Sequence, residues 1–156
     1  RRRGLPVALR PAAALGLALV ENGWRVLFTR TTDLVQKLQV ARRDLALAAA
    51  IDKLDKYHLL ILDDIAYISK DQAETSVLFE LISARYERRS MLITANQPFG
   101  DWNRIFPDPA MTLAAIDRLV HHSTILEMND GAALRNLRFG PKGNSKVPLL
   151  RMSCVR

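Results

Sequence analysis

Stretches with helical spacing of apolar residues alternate along the chain with short, nearly unbroken apolar runs. The Ala- and Leu-rich segment from Ala12 to Glu21 predicts a helix, and the Asn22-Gly23 pair after it favours a left-handed cap. Trp24 to Thr29 is rich in β-branched and aromatic residues, which predicts a strand. Thr31 or Thr32 would then cap a second helix that begins at Asp33.

The remaining elements follow the same alternation. They are a helix over 47–56, a central strand within 57–64, a helix after the capping-box sequence at 69–72, a strand over 91–95, a helix over 111–121 and a strand over 124–128. Helices that alternate regularly with short strands indicate a parallel sheet covered by helices. We therefore expect an α/β fold.

The central strand has the sequence YHLLILDD, from Tyr57 to Asp64. Its unbroken aliphatic run is typical of a strand buried on both faces of a parallel sheet. The two acids that follow would lie at the edge where open α/β sheets bind ligands. In a nucleoside triphosphatase the first would serve Mg²⁺ and the second would polarise the attacking water. The same residues also fit a core strand followed by an Asp-rich turn.

Length and composition favour one domain, since the chain has 156 residues and is 49% hydrophobic. The apolar run from Ala12 to Val20 is too short to cross a membrane. A single cysteine, Cys154, excludes an internal disulfide and predicts a cytoplasmic protein. The formal charge of +7 lies in the ends: 1–10 and 129–156 are strongly basic, whereas the middle is slightly acidic.

Three segments together resemble a known family. LLILDD at 59–64, SMLITANQPFGDW at 90–102 and AIDRLVHH at 115–122 are similar to the IstB-like ATP-binding proteins, helper ATPases encoded beside the transposase in one class of insertion sequences. The resemblance covers about 12–128. It implies an AAA+ type P-loop NTPase fold, a three-layer sandwich with a parallel sheet, which binds ATP and Mg²⁺ between subunits. It also implies self-association, assembly on DNA and a transposase partner.

The resemblance assigns roles to four residues. Asp63 would serve the Mg²⁺ site, Asp64 would stand where a catalytic acid orients water, and Asn96 would contact the γ-phosphate or that water. Arg118 would be the arginine finger offered to a neighbouring subunit's nucleotide. Each residue also has a structural interpretation: a turn acid for either aspartate, a helix cap for Asn96 and a surface ion pair with Asp117 for Arg118.

A contact with DNA is predicted at Lys37, Arg42 and Arg43, because related proteins often place their DNA-binding residues on the helices after the second strand. Exposed charge on a helix is also typical of a solvated face. A salt-dependent affinity for DNA distinguishes the two interpretations.

The first residues depart from the family pattern GxxxxGK[ST], whose backbone and lysine hold phosphates. The two framing glycine positions hold Arg2 and Val7, the lysine position holds Ala8 and the hydroxyl position holds Leu9. We therefore expect impaired nucleotide binding. The family's first strand is missing as well, so we expect the strands at 91–95 and 124–128 to have unpaired edges.

These departures predict three parts: a degenerate segment over 1–11, an ATPase core over 12–128 and a divergent basic tail over 129–156 that is largely disordered. Frameshifts at both ends would explain the pattern. The functions left open are an ATP-binding helper of DNA transposition, a helicase loader of the DnaC type, and a nucleotide-independent module that binds DNA or protein.

Overall fold

The computed structural model describes residues 9–65, 71–95, 108–121, 123–128 and 149–154, which form an α/β fold. Its helices are α1 (Leu9–Glu21), α2 (Thr31–Arg43), α3 (Leu47–Leu54), α4 (Gln72–Arg85) and α5 (Pro109–Val120). Its strands are β1 (Val26–Arg30), β2 (Leu59–Asp63), β3 (Ser90–Ala95), β4 (Ser123–Met128) and β5 (Leu149–Cys154). Each predicted element is present, with its ends shifted by a few residues.

The described strands form one sheet in the order β1-β2-β3-β5-β4, and every neighbouring pair is parallel. Arg30 is in register with Asp63, and Leu62 with Ile93. The carboxyl ends of β1, β2 and β3 therefore meet at one edge of the sheet. The predicted parallel, helix-covered sheet is confirmed.

Helices cover both faces of this sheet, which makes the three layers of a P-loop NTPase-like sandwich. On one face, α1 packs against Leu59, Ile61 and Leu92. On the other face, α2, α3, α4 and α5 share a larger apolar cluster with Leu60 and Leu62. Gly16 allows α1 to approach β2 closely, because a Cβ atom there would lie 2.9 Å from Ile61 Cδ1.

The end of α1 confirms the predicted left-handed cap. Gly23 has a φ of 78°, and its N–H donates to the carbonyl of Val20 over 2.9 Å. The N–H of Trp24 donates to the carbonyl of Leu19 over 3.0 Å. These two bonds are the pair of a Schellman motif, and they satisfy carbonyls that the end of the helix leaves without partners.

The predicted cap of α2 is wrong. The N-cap residue is Arg30, which makes no capping bond through its side chain, and Thr31 is already helical. The threonine hydroxyl instead donates to the backbone oxygen of Asp63. At the start of α4 the cap is Asp71, which accepts from the N–H of Ala73 over 3.2 Å. Ser69, the first residue of the predicted capping box, lies outside the described residues.

The largest difference from the sequence prediction is β5. The strands β3 and β4 were expected to have unpaired edges, but β5 lies between them and pairs with both. Unpaired backbone N–H and C=O groups inside a sheet are unfavourable, and 149–154 can pair because it contains neither Gly nor Pro. The prediction of disorder is therefore wrong for these six residues; residues 129–148 lie outside the described part.

A buried arginine joins three parts of the fold. Arg85, at the end of α4, is 0% exposed. Its guanidinium donates to the backbone oxygens of Leu54 at 3.0 Å, Tyr57 at 3.1 Å and Ser90 at 3.0 Å. Burial lowers its pKa to about 10, although the Asp55 carboxylate at 3.6 Å acts in the opposite direction. Arg85 therefore remains charged at neutral pH.

None of the helices in the described ranges is both long enough and apolar enough to cross a lipid bilayer.

We predict that Arg85→Met destabilises the fold by about 3 kcal/mol, because three buried or partly buried carbonyls would lose a charged donor. Chemical denaturation measures the change. Arg88→Met is the matched control: Arg88 also bonds Asp55, at 2.6 Å, but its side chain is 63% exposed. A surface pair of this kind contributes about 0–1 kcal/mol. Equal losses of unfolding free energy in Arg85→Met and Arg88→Met would contradict the central role of Arg85.

A chain that ends at residue 148 should lose amide protection in β3 and β4, because their facing backbone groups would no longer have β5 as a partner. We expect exchange there to become at least about tenfold faster, as for the loss of one or more buried hydrogen bonds. A chain that ends at Cys154 is the control and keeps β5. Equal protection in both chains would show that β5 does not complete the sheet.

Candidate functional site

The candidate site is the acid pair at the carboxyl end of β2. Asp63 is the last residue of this strand, Asp64 follows it directly, and both are half-buried. The aliphatic run before them fills the middle of the sheet, so the chain leaves the core at these two residues. Asp63 and Asp64 therefore lie at the carboxyl edge of the sheet, where the sequence predicted them.

Two buried threonines from neighbouring elements hold Asp63. Thr31, the first residue of α2, donates from its hydroxyl to the backbone oxygen of Asp63 over 2.8 Å. Thr94 in β3 donates to Oδ1 of the Asp63 carboxylate over 2.6 Å. Both threonines are almost fully buried, at 1% and 2% exposed. The carboxylate therefore has one oxygen fixed by β3, and in the described part of the chain nothing bonds its other oxygen.

Asp64 has an unusual backbone conformation. Its φ is 58°, in the left-handed region, where a residue other than glycine costs about 1 kcal/mol. Asp and Asn tolerate this region best among the other residues. The N–H of Asp64 donates to Thr94 Oγ1 over 2.9 Å, and this bond holds the turn against β3.

The carboxyl group of Asp64 lacks a full set of partners. Its Oδ1 atom is buried and has no hydrogen-bond partner within the described ranges. Burial raises the pKa of Asp64, and the negative charge of Asp63 raises it further. An acid with a raised pKa and an unpartnered oxygen at the edge of a sheet can accept a hydrogen bond from a ligand or exchange a proton with it.

The carboxylate oxygens of Asp63 and Asp64 fit Mg²⁺ only together with other ligands. Mg²⁺ prefers oxygen and is commonly held by one or two carboxylates with phosphate oxygens and water. Counting only the described residues as partners, Asp63 offers one carboxylate oxygen without a hydrogen bond and Asp64 offers the buried Oδ1. Across the ranges that the structure describes, no three His, Cys, Asp or Glu side chains gather as a metal site. The pair therefore suits a metal ion that arrives with a phosphate group.

Other predicted site residues lie partly outside the described residues. Asn96 directly follows the end of β3 but is not described, and neither are Arg2, Val7 and Ala8. Leu9, at the predicted hydroxyl position, is the first residue of α1.

Arg118 lies on α5 and is half-buried. Its guanidinium lies 5.1 Å from the ring centroid of Phe79 and donates to the backbone oxygen of Ala114 over 3.1 Å. None of its contacts within the described ranges involves the acid pair. The alternative interpretation, an ion pair with Asp117, has no counterpart among the described ion pairs.

The predicted DNA-contacting residues differ in their surroundings. Arg42 forms an ion pair with Glu80 and donates to Ser76 Oγ over 2.9 Å, so it connects α2 to α4. Lys37 and Arg43 are exposed on α2. The structure therefore gives Arg42 a partner within the fold and leaves two exposed cations beside it.

Sequence reasoning missed Thr31 and Thr94. The sequence pattern predicts a helix cap at Thr31 and no further role. It predicts that Thr94 belongs to a short buried strand, MLITA, in which it is the one polar residue. A buried hydroxyl needs a hydrogen-bond partner, and the neighbouring strand ends in acids, so this mismatch was the available signal.

Comparisons with known proteins identify a family and several relatives. A family model described as IstB-like ATP binding protein matches residues 10–138. An insertion sequence ATP-binding protein of Sinorhizobium fredii is 84% identical over 118 residues, which are 76% of this chain and 40% of that protein.

Two more distant relatives belong to other insertion sequences. The ATP-binding protein of IS21 from Pseudomonas aeruginosa is 38% identical over 117 residues, 75% of this chain and 44% of that protein. The ATP-binding protein of IS232 from Bacillus thuringiensis is 34% identical over the same length, 75% of this chain and 47% of that protein. The chain thus spans less than half the length of these three relatives. With the family model matched over most of its residues, the chain belongs to the IstB-like ATP-binding protein family.

Proposed function

We propose that this chain is the core of an ATP-dependent helper protein of DNA transposition, impaired in nucleotide binding because its phosphate-binding loop lacks the required residues. The observation that carries the proposal is the acid pair at the end of β2, with one oxygen of Asp63 fixed by Thr94 and a buried oxygen on Asp64 that has no partner among the described residues. Membership of the family supports ATP as the ligand. The names of its relatives, which are ATP-binding proteins of insertion sequences, support the link to transposition.

In this proposal the two acids have different tasks. Asp63 holds Mg²⁺ through its uncommitted oxygen, directly or through water, and the ion when bound offsets charge on the phosphates. Asp64 orients the attacking water, a task that suits an acid whose pKa is raised by burial. Asn96, which follows β3, contacts the γ-phosphate or that water.

Arg118 is proposed as the arginine finger that reaches a neighbouring subunit's nucleotide. A guanidinium suits this task because it is always charged and binds phosphate oxygens in a bidentate manner. In the single chain it packs on Phe79, so the assembled state would require it to leave that ring. Such a contact contributes about 0.5–1 kcal/mol at exposed sites, a cost that a phosphate contact offsets.

The proposed partners are DNA, a transposase and further copies of the chain, and the proposed location is the cytoplasm. Exposed Lys37 and Arg43 supply positive charge for a DNA phosphate contact. The alternative of a helicase loader uses the same motifs, but the relatives' names favour the insertion-sequence role.

One observation favours a second function. The positions of the phosphate-binding loop hold Arg2, Val7, Ala8 and Leu9, none of which has the required residue type. A chain with this segment could keep faces for DNA and for other proteins without binding ATP. The nucleotide-independent module is therefore the competing proposal, and one titration separates the two.

The test is a titration with a fluorescent ATP analogue and Mg²⁺, done on the present chain and on a variant whose residues 1–11 are replaced by a strand and a GxxxxGKS loop. We expect only the restored variant to bind, because its loop supplies the phosphate-binding amides and lysine. In that variant Asp63→Asn should weaken binding at least about tenfold when Mg²⁺ is present and little when it is absent. If neither chain binds, the nucleotide-handling role is wrong and the interaction module stands. If the present chain binds unaided, it has a different phosphate site.

If α2 contacts DNA, substitutions of its basic residues should lower the DNA affinity by different amounts. Lys37→Ala and Arg43→Ala should each lower DNA affinity and reduce the slope of log affinity against log salt by about 1, as for one lost phosphate contact. Arg42→Ala should have a smaller effect, because Glu80 already neutralises this cation. Glu80→Ala is the matched variant and should raise affinity. Fluorescence anisotropy at several salt concentrations measures these changes, and no response to any of the four would remove α2 as a DNA-binding surface.

A further inference from the structure

We propose that Thr94 is a positioning residue for the acid pair, an inference that rests on the proposed function of Asp63 and Asp64. Its hydroxyl determines which oxygen of Asp63 faces a ligand, and it anchors the amide group of Asp64 at the point where the chain turns out of the sheet. The two threonine bonds, at 2.6 Å to Asp63 Oδ1 and 2.9 Å from the Asp64 N–H, carry the inference.

The direction of each hydrogen bond follows from the chemistry of the three groups. A backbone N–H only donates, so Thr94 Oγ1 must be the acceptor in its bond with Asp64. The hydroxyl carries a single proton, and that proton then points to Asp63 Oδ1. A distance of 2.6 Å is typical of a hydroxyl that donates to an ionised carboxylate. The three groups therefore form a polar chain with one direction, from the Asp64 amide through Thr94 to Asp63.

The direction of this chain has a geometric consequence for Asp63. Its backbone oxygen is bonded by Thr31 and its Oδ1 by Thr94, so the residue is held at two points by two neighbouring elements. Rotation of the carboxylate would break the second bond. The other carboxylate oxygen is consequently the one offered to a ligand, in a single orientation. Preorganisation of this kind lowers the cost of binding and of charge development.

Thr94 also supports the strained residue. With a φ of 58°, Asp64 needs a surrounding contact that favours this conformation over the extended one that continues a strand. The bond from its N–H to Thr94 Oγ1 fixes the peptide group between Asp63 and Asp64, from which the turn begins.

Packing alone would not select threonine at this position. Thr94 is 2% exposed, within a strand whose other residues from Met91 to Ala95 are apolar. Valine has nearly the same shape and an equally high strand propensity, and it carries no polar atom to bury. The cost of burying the hydroxyl is offset only through its two bonds to the acid pair.

The experiment compares the full chain with Thr94→Val, which removes the hydroxyl, and Thr94→Ser, which keeps it. NMR supplies two readouts: hydrogen exchange of the Asp64 amide and the side-chain couplings that report the χ1 rotamer of Asp63. In Thr94→Val we expect the Asp64 amide to exchange about tenfold faster, the effect of losing one buried hydrogen bond. We also expect Asp63 to exchange between χ1 rotamers, so that its side-chain couplings take averaged values. Thr94→Ser should restore both, and the core amides of Leu78 and Leu81 should be unchanged in both variants.

Three results would overturn the inference. One is an Asp64 amide and an Asp63 rotamer that stay unchanged in Thr94→Val. Another is a Thr94→Ser variant that behaves like Thr94→Val. The third is faster exchange at Leu78 and Leu81 by the same factor as at Asp64, because this would show a general loss of stability. Neither readout uses nucleotide or metal, so failure here is distinct from failure of the ATP titration.

Discussion

The structure depends on how the chain leaves the buried strand β2. β2 carries four fully apolar residues through the centre of the sheet and then ends in two carboxylates, which cannot be buried without partners. A directed hydrogen-bond chain through Thr94, with Thr31 on the other side, makes this exit stable. Within the described residues Oδ1 of Asp64 is buried without a hydrogen-bond partner, and the carboxylate of Asp63 is bonded through Oδ1 alone. The atoms that lack partners are therefore the atoms to which the proposal assigns its chemistry.

The remainder of the fold holds the end of β2 in place beside β3. Arg85 joins the end of α3, the entrance to β2 and the start of β3, so the two strands that flank the polar chain share one buried anchor. The helix α1 approaches β2 from the opposite face at Gly16. β5 closes the sheet between β3 and β4, which supplies β3 with a partner on its second side. Strands held on both sides fix the relative positions of Asp63 and Thr94.

Much of this arrangement could be predicted from local pattern. The run LLILDD specified a buried strand with acids at its end, and the Asn22-Gly23 pair specified the turn after α1. Contacts between distant residues could not be predicted in this way. Thr31 has the properties of a helix cap, yet its hydroxyl bonds a residue 32 positions away. Arg42 resembles a free surface cation, yet Glu80 pairs with it. The segment 149–154 carries only a weak strand pattern. It forms a strand because it pairs with both β3 and β4.

The central claim is that the uncommitted oxygen of Asp63 is the metal-binding atom of a nucleotide site. The most direct measurement is anomalous diffraction from crystals of the chain with a restored phosphate loop, grown with Mn²⁺ and a non-hydrolysable ATP analogue. The account predicts a manganese peak beside Asp63, on the oxygen that Thr94 does not bond, in direct contact or through one water. A bound nucleotide whose manganese lies away from Asp63 would contradict it.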